Sequence, residues 1–230
     1  MAKFVVEHLE DLRKSGLSDK TIINSGIRSI PVSELNQKLG FKTYHVKSAY
    51  EIPYDDDFSR FRIFYKENNS DRPEFLQKKG SKNRLYIPKS IKNKLNDNKI
   101  PLYITIGEKR ALKACQEGLC CVGIGGPCNW SDGTKHLIPD FYKINFNNRK
   151  VYIVIDNHYF KHDPSNSPKY YHFATIYLAR NIMGMVDSPD IEPCIYEHYI
   201  PPDYRQYFDE YLVHHSVDEF LALPRFDVEF

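Results

Sequence analysis

The sequence has no run of about 18 apolar residues that could span a membrane, and its first twenty residues lack the apolar core of a signal peptide. It also lacks the G-x-x-x-x-G-K-[ST], G-x-S-x-G and G-x-G-x-x-G patterns of P-loop nucleotide hydrolases, esterases and dinucleotide-binding enzymes. The five cysteines are an odd number with no Cys-x-x-Cys pair, which favours a reduced, cytoplasmic chain over a disulfide-stapled one. We therefore expect a cytoplasmic protein with no membrane partner.

The composition is that of a globular protein. The 230 residues are 41% hydrophobic, and the mean hydropathy is −0.55. This length suits one large domain or two small ones. Since no internal repeat is visible, repeat architectures are excluded.

The net charge of +2 conceals two segments of strong and opposite charge. Residues 60–99 contain 12 Lys and Arg against 4 Asp and Glu, whereas residues 187–230 contain 2 against 11. Such a division predicts either a nucleic-acid surface with an acidic tail or two segments that pair with each other.

The basic segment is a candidate nucleic-acid-binding surface, because Lys and Arg neutralise phosphates and exposed rings stack on unpaired bases. Its aromatic residues alternate with charged residues, which is the pattern of a β-strand. The rings are therefore expected either to pack into a sheet core or to be exposed for stacking on bases. The aromatic residues are Phe61, Phe64, Tyr65, Phe75 and Tyr86. The candidate contact residues are Arg60, Arg62, Arg72, Lys78, Lys79, Lys82 and Arg84.

Local patterns divide the chain into a helical region at 1–48, a basic β-rich segment at 49–100 and an α/β domain at 101–230. In the first region, glycines and capping residues predict a helix ending near Gly16, a helix 19–24 capped by Ser18, and a helix 34–39 capped by Ser33. The β-rich segment predicts strands at 58–65, 75–77 and 84–87.

Residues 101–230 alternate between apolar strands and helices, which predicts a mostly parallel sheet flanked by helices. The predicted strands are 102–106, 120–124, 151–155 and an edge strand 194–196, and the predicted helices are 108–116, 170–183 and 216–223.

The carboxyl ends of the predicted parallel strands are where functional groups are expected to gather. Asp156 directly follows the apolar strand 151–155, and a carboxylate there is costly unless it binds a metal or a hydrogen-bond donor. Asp156 is therefore the best single candidate, with a helix cap or a turn as the alternative.

Several runs together resemble a known family. The run LYITIGEKRAL at 102–112 resembles the first motif of Toprim domains, and more specifically of a Toprim-like domain of unknown function in primase and helicase proteins of phages, plasmids and integrated mobile elements. The similarity covers nearly the whole chain. Its other matches are HLEDLRKSGLS at 8–18, QKKGS at 77–81, LYIP at 85–88, GIGG at 123–126, Asn129-Trp130 and FDEYL at 208–212.

The resemblance implies a site whose acidic motifs are degenerate. Toprim proteins use a glutamate at the first strand end as a general acid or base, and an Asp-x-Asp after a later strand to hold Mg²⁺ for phosphoryl transfer. Here the glutamate position is Ile106, and the second acid of the Asp-x-Asp is His158. Isoleucine can neither move a proton nor bind a metal, so the fold is expected to be kept while the metal chemistry is lost and no cofactor is needed.

Other residues match the family. Glu108 and Lys109 lie in the first motif, and Asp209 with Glu210 corresponds to a terminal acidic pair. If catalysis survived, Glu108, Lys109 and Asp156 would carry it, with Mg²⁺ held by Asp156 and Asp209.

Two other metal sites are less favoured by the sequence. Four cysteines lie within fourteen positions, but two are adjacent in an apparent strand and therefore face opposite ways. His158 and His162 have chelating spacing only in a helix, which Pro164 disfavours. The four cysteines are Cys115, Cys120, Cys121 and Cys128.

Three functions are open. The first is a catalytically impaired Toprim-like protein of a mobile-element replication system that binds nucleic acid or a replication protein. The second is an active Mg²⁺-dependent nuclease or primase component. The third is a protein-interaction module whose acidic C-terminal segment mimics nucleic acid.

Overall fold

The computed structural model describes residues 4–55, 57–67, 71–134, 136–155, 168–186, 188, 190, 192–200 and 207–228. The chain divides into two compact units, Met1–Lys82 and Asn83–Phe230. No helix in the described ranges has the length and apolar character needed to cross a bilayer.

The first unit contains a four-stranded antiparallel sheet with the order β1-β2-β3-β4. Three helices precede or interrupt these strands. The elements are α1 (Val6–Lys14), α2 (Asp19–Ser25), β1 (Arg28–Ile30), α3 (Val32–Leu39), β2 (Val46–Pro53), β3 (Ser59–Tyr65) and β4 (Phe75–Gln77).

Alternation along β3 places the core of this unit. Phe61 and Ile63 are buried and pack with Leu35 and Leu39 of α3, while Arg60 and Arg62 point to the opposite face of the strand. The basic side chains therefore lie on one face of the sheet and the aliphatic core lies on the other.

The second unit contains a five-stranded sheet with the order β6-β5-β7-β8-β9. The first four strands in this order run parallel, and β9 is antiparallel to β8. The elements are β5 (Leu102–Ile106), α4 (Glu108–Gln116), β6 (Cys120–Ile124), β7 (Lys150–Ile155), α5 (Pro168–Met183), β8 (Cys194–Tyr199), α6 (Phe208–His214), α7 (Val217–Leu221) and β9 (Arg225–Asp227), with 3-10 helices at Lys89–Lys94 and Pro139–Lys143.

The two faces of this sheet are packed differently. On one face, aliphatic strand residues such as Ile104 and Ile153 pack against Leu178 of α5. On the other face, Tyr103, Tyr152 and Tyr196 form a stacked row with centroids 5.0 and 5.3 Å apart. Helices therefore cover a mostly parallel sheet, and the predicted fold class is confirmed.

The structure places the division of the chain differently from the sequence patterns. The predicted boundary at 48/49 falls inside β2, which pairs with β1 in one sheet. The predicted boundary at 100/101 separates Leu85, Ile91 and Leu95 from the core cluster that they share with β5. Because strand pairing and core packing cross both positions, the structure instead divides at Lys82 and Asn83.

Other details of the secondary-structure prediction need correction. Strand β8 is not an edge strand, because β9 pairs along its outer side. Ser33 lies within α3, whose first turn begins after Pro31. The predicted cap Ser18 is confirmed, since its hydroxyl accepts a hydrogen bond from the Thr21 amide at 3.2 Å. Strands β1, β2 and β9 and helix α6 were not predicted, and the strand predicted at 84–87 is wrong, since this segment forms only an isolated bridge between Tyr86 and Gly123.

Candidate nucleic-acid interface and the strand-end site

Strands β5 and β6 end side by side at the carboxyl edge of the parallel sheet, with Ile106 paired to Ile124. Gly107 follows with φ +97°, a conformation that L side chains rarely adopt, and leads into α4. A Cβ at Gly123 would lie 2.7 Å from the Gly107 carbonyl oxygen. Both glycines are therefore required for the close approach of the two strand ends.

Ile106 is part of the hydrophobic core. Its side chain is buried within the cluster that includes Ile104 and Ile124. Beside it lies a small cavity of about 10 Å³ that is apolar apart from Thr105 and Thr175, a volume that accommodates one water at most. The position that corresponds to the Toprim glutamate thus holds a packed aliphatic group.

Glu108 begins α4 and is 2% exposed. The backbone of Tyr86 pairs with Gly123 through hydrogen bonds of 2.8 and 2.9 Å. Because Gly123 lies against Gly107, this pairing holds Tyr86 near Glu108 at the start of α4. Burial raises the pKa of Tyr86, and the negative charge of Glu108 raises it further. Lys109, next in α4, is half-buried.

Arg110 connects α4 with α6. Its Nη1 donates to the Ile106 carbonyl at 2.5 Å, its Nε lies 3.6 Å from Oδ1 of Asp209, and its guanidinium stacks over Tyr207 at 4.3 Å. Asp209 is 5% exposed. The acid that the resemblance assigns to metal binding is therefore paired with a cation.

A Toprim-like Mg²⁺ site requires oxygen ligands, and among the described candidate ligands only Asp209 offers one: its Oδ1 is buried and accepts no hydrogen bond. Ile106 supplies none and Asp209 faces Arg110. In the described part of the chain, no group of three or more His, Cys, Asp and Glu side chains could hold a metal ion. Asp156 and His158 lie outside the described residues.

The cysteines that form an alternative metal site in the sequence do not share one environment in the structure. Cys120 and Cys121 are buried on β6, whereas Cys128 is exposed. Cys115 donates a hydrogen bond to the Cys121 carbonyl at 3.2 Å, and burial raises its pKa to about 12. Burial also raises the pKa of Cys120 and Cys121, so the buried thiols are not poised as thiolate ligands. His162 lies outside the described residues.

In the first unit, arginines and aromatic rings form a stacked ladder on the face of β3 and β4 opposite the α3 core. Arg60 and Arg62 each lie 5.2 Å from the centroid of Phe75, and Arg62 lies 5.2 Å from that of Phe64. Arg62 also pairs with Glu74 at 2.9 Å. The rings of this face thus support guanidinium groups.

The remaining candidate cations differ in their surroundings. Arg72 stacks over Tyr65 at 5.4 Å, and Lys78, Lys79 and Lys82 are exposed. Two of the aromatic residues, Phe61 and Tyr86, are core residues.

Arg84 belongs to the second unit, where it binds a buried carboxylate. Its Nε donates to Oδ2 of Asp140 at 2.6 Å, and its Nη2 donates to Oδ1 at 3.1 Å. Asp140 is 3% exposed and also accepts from the Leu85 amide and from Lys143. These contacts lower the pKa of Asp140 against the opposing effect of burial. The charge of Arg84 is therefore balanced inside the protein.

Sequence analysis missed two exposed rings. Tyr44 is 67% exposed and Phe41 is 37% exposed, in the connection between α3 and β2. This connection lies outside the strongly basic segment. The sequence feature that could have indicated these exposed rings is the clustering of Phe41, Lys42 and Tyr44 in the connection between a helix and a strand.

The chain has the fold of primase catalytic domains. The crystal structure of the Aquifex aeolicus primase, containing zinc-binding and RNA polymerase domains, matches with TM-score 0.61 and 15% identity over 96% of this chain and 57% of that chain. A DnaG primase catalytic domain bound to ssDNA matches with TM-score 0.62 and 14% identity, over 94% and 72%. The RNA polymerase domain of Mycobacterium tuberculosis primase DnaG matches with TM-score 0.60 and 9% identity, over 96% and 76%.

These comparisons establish the Toprim-like primase fold. This chain spans 57% of the Aquifex chain, little more than half of its length. No protein-family model matches the sequence, and no curated protein matches it.

Proposed function

We propose that this chain is a primase-like, nucleic-acid-binding protein in which metal-dependent phosphoryl transfer is lost. The single observation that supports the loss of phosphoryl transfer is the position of Ile106. It packs in the core at the strand end where the resemblance implies a glutamate. A general acid or base needs an ionisable group at the reacting atoms, and isoleucine supplies none.

The pairing of Arg110 with Asp209 supports the same proposal. The guanidinium of Arg110, 3.6 Å from Oδ1 of Asp209, offsets part of the charge of this carboxylate without a hydrogen bond to that oxygen. Binding Mg²⁺ there would bring a second positive centre toward Arg110, which costs electrostatic energy.

The nucleic-acid half of the proposal depends on the first unit. Within the arginine ladder, Arg62 is 15% exposed and paired with Glu74, so the phosphate contacts are assigned to Lys78, Lys79 and Lys82, which extend into solvent. Such a surface can neutralise phosphates. The family resemblance extends the proposal to the replication system of a mobile element, where a replication protein is the alternative partner.

Salt-dependent binding tests the nucleic-acid half. Labelled single-stranded and duplex DNA would be titrated at several salt concentrations with the full chain and with a Lys78→Ala/Lys79→Ala variant. We expect affinity at low salt and a salt slope reduced by about 1.4 in the variant if both lysines contact a single strand, at about 0.7 per phosphate contact. A Lys14→Ala/Lys20→Ala variant removes the same charge from exposed positions of the same unit and serves as the control.

Two results would contradict this half. One is no binding to either DNA at low ionic strength. The other is an equal loss of affinity in the control variant, which would mean that net charge alone produces binding. Capture of a specific replication protein without DNA affinity would favour the protein-partner alternative.

Metal-dependent primer synthesis and nuclease assays test the catalytic half. We expect no activity with Mg²⁺ or Mn²⁺ in the full chain. Activity that Asp156→Ala abolishes would overturn the proposal and establish the Mg²⁺-dependent enzyme, with Glu108, Lys109 and Asp156 as its candidate catalytic residues.

A further inference from the structure

The segment 40–45 connects α3 to β2, and backbone hydrogen bonds fix the chain at both of its ends. At one end, the Lys79 amide donates to the Leu39 carbonyl at 2.8 Å. At the other, the Lys66 amide donates to the His45 carbonyl at 2.8 Å. The connecting loop is therefore attached at both ends to the basic segment 60–99, through Lys79 and Lys66.

A third anchor lies in the middle of this loop. The Asn36 side-chain oxygen accepts hydrogen bonds from the backbone amide and the hydroxyl of Thr43, both at 2.8 Å. An anchored loop loses less conformational entropy when it binds a ligand than a free one would. Loop 40–45 is thus held in position before any ligand arrives.

This anchored loop displays aromatic rings to solvent. Tyr44 is 67% exposed and Phe41 is 37% exposed, and the ammonium of Lys42 lies 5.6 Å from the centroid of the Tyr44 ring. The rings on the β3–β4 face carry arginines in a similar way, but they are less exposed than Tyr44. Tyr44 therefore offers the most exposed aromatic surface of the described part of this unit.

The charge around the loop is positive. Lys42 lies within it, Lys79 is anchored to one end and Lys66 to the other, and all three are exposed. Residues 40–45 contain no acid, and Glu67 is the acidic residue that follows Lys66. A cationic rim around an exposed ring complements the phosphates and bases of a nucleic acid.

We propose that loop 40–45 binds a single-stranded nucleic acid, with Tyr44 stacking on an unpaired base and with Lys42 and Lys79 contacting phosphates. The inference rests on the proposed function and deepens it, because it specifies the strand form and the contact residues. In a duplex the base faces are stacked on one another, so an exposed ring reaches them only in a single strand. DNA and RNA both offer this chemistry.

Fluorescence anisotropy with short labelled oligomers tests the proposal. The probes are oligo-dT, oligo-U, an abasic deoxyribose oligomer of equal length and a DNA duplex. The proteins are the full chain, Tyr44→Ala, Tyr44→Phe and the control Tyr142→Ala, which removes an equally exposed tyrosine from the second unit.

We expect Tyr44→Ala to weaken binding to oligo-dT or oligo-U about tenfold, within the range of base–aromatic stacking. Tyr44→Phe should retain binding because it keeps the ring, and Tyr142→Ala should bind like the parent chain. The abasic oligomer should be bound equally by the parent chain and Tyr44→Ala, because it has no base to stack. The relative affinities for oligo-dT and oligo-U distinguish DNA from RNA.

Failure of this inference is separable from failure of the proposed function. Unchanged oligomer binding by Tyr44→Ala, with a loss in a Lys78→Ala/Lys82→Ala variant that leaves Lys79 in place, would overturn the loop's role and leave the nucleic-acid surface standing. An equal loss for the abasic oligomer or for the duplex would overturn the stacking role. Absence of binding to every probe by the parent chain would overturn both.

Discussion

The Arg110 Nε lies 3.6 Å from Oδ1 of Asp209, and both side chains are largely withdrawn from water. This pair joins α4 to α6 beside the end of β5, where Arg110 also binds the Ile106 carbonyl. Asp209, the terminal acid that the family resemblance associates with a metal, is the partner of Arg110 in an internal ion pair. The Toprim-like edge of the sheet is therefore held by packing and by protein charges among the residues described.

Removing Arg110 alone is expected to destabilise the second unit. Arg110→Met leaves the Asp209 carboxylate buried without its cation, which costs about 3 kcal/mol in comparable pairs. The double variant Arg110→Met/Asp209→Asn should recover part of this loss, because the buried charge is gone as well. Urea unfolding followed by the fluorescence of the single tryptophan, Trp130, measures the second unit. A double variant as unstable as the sum of the single variants would contradict the pairing.

Restoring the family glutamate at position 106 is expected to damage the protein rather than to activate it. Ile106→Glu places a carboxylate in the apolar cluster around Ile104 and Ile124, at a cost of several kcal/mol, on the order of 3 or more, unless it finds a donor. Ile106→Val, which keeps the position apolar, should cost about 1 kcal/mol. Both losses are measured by urea unfolding, with a Mg²⁺-dependent primer-synthesis assay run alongside. A stable, active Ile106→Glu would show that the edge still supports metal chemistry.

The sequence predicted those elements whose patterns are local. Strand β5 matches its predicted bounds because five consecutive residues are buried, and Ser18 caps α2 through a contact three residues away. Strand β1 has only three residues and exists through its pairing with β2, so no local pattern announces it. The edge position assigned to β8 was wrong because β9 joins it from a point about thirty residues further on.

The sequence also could not predict which side chains of the candidate nucleic-acid surface reach solvent. Nothing in the sequence near Arg84 indicates that Asp140, 56 residues away, accepts its hydrogen bonds. Likewise, Tyr86 and Tyr44 are alike as sequence features, yet one is buried and the other exposed. Tertiary packing decides which cations and rings reach solvent, and it is set by partners that are distant in the chain.

Arg84 and Lys82 are expected to differ sharply, although both belong to the same basic segment. Arg84→Ala removes two hydrogen bonds to the buried Asp140 and should destabilise the second unit by about 2–3 kcal/mol. Lys82→Ala alters an exposed side chain and should change stability by no more than about 0.5 kcal/mol. Urea unfolding followed by Trp130 fluorescence separates the two. Equal stability of both variants would mean that the Asp140 contacts contribute little.

His198 is expected to make the second unit sensitive to mild acid. The imidazole is 1% exposed on β8 and stacks on Phe220 with centroids 4.1 Å apart. Burial, with a smaller contribution from the charge of Arg225 on β9, lowers the pKa of His198 to about 4 from its ordinary value of 6.5. The folded state thus keeps this ring neutral, whereas the unfolded chain begins to protonate it near pH 6.5.

The sign of the effect follows from that difference. The unfolded state binds more protons between pH 6.5 and about pH 4, so the contribution of His198 to stability is complete above this window and decreases as the pH falls through it. At about 1.4 kcal/mol per pKa unit, the full loss is on the order of 3 kcal/mol. His198→Phe keeps an aromatic ring against Phe220 but cannot protonate, so its stability should fall less across the same window. Unfolding of both proteins by urea at a series of pH values, followed by Trp130 fluorescence, isolates the histidine, because the carboxylates and His8 are common to both. Parallel pH profiles for the two proteins would contradict the assignment and would place the acid sensitivity on other groups.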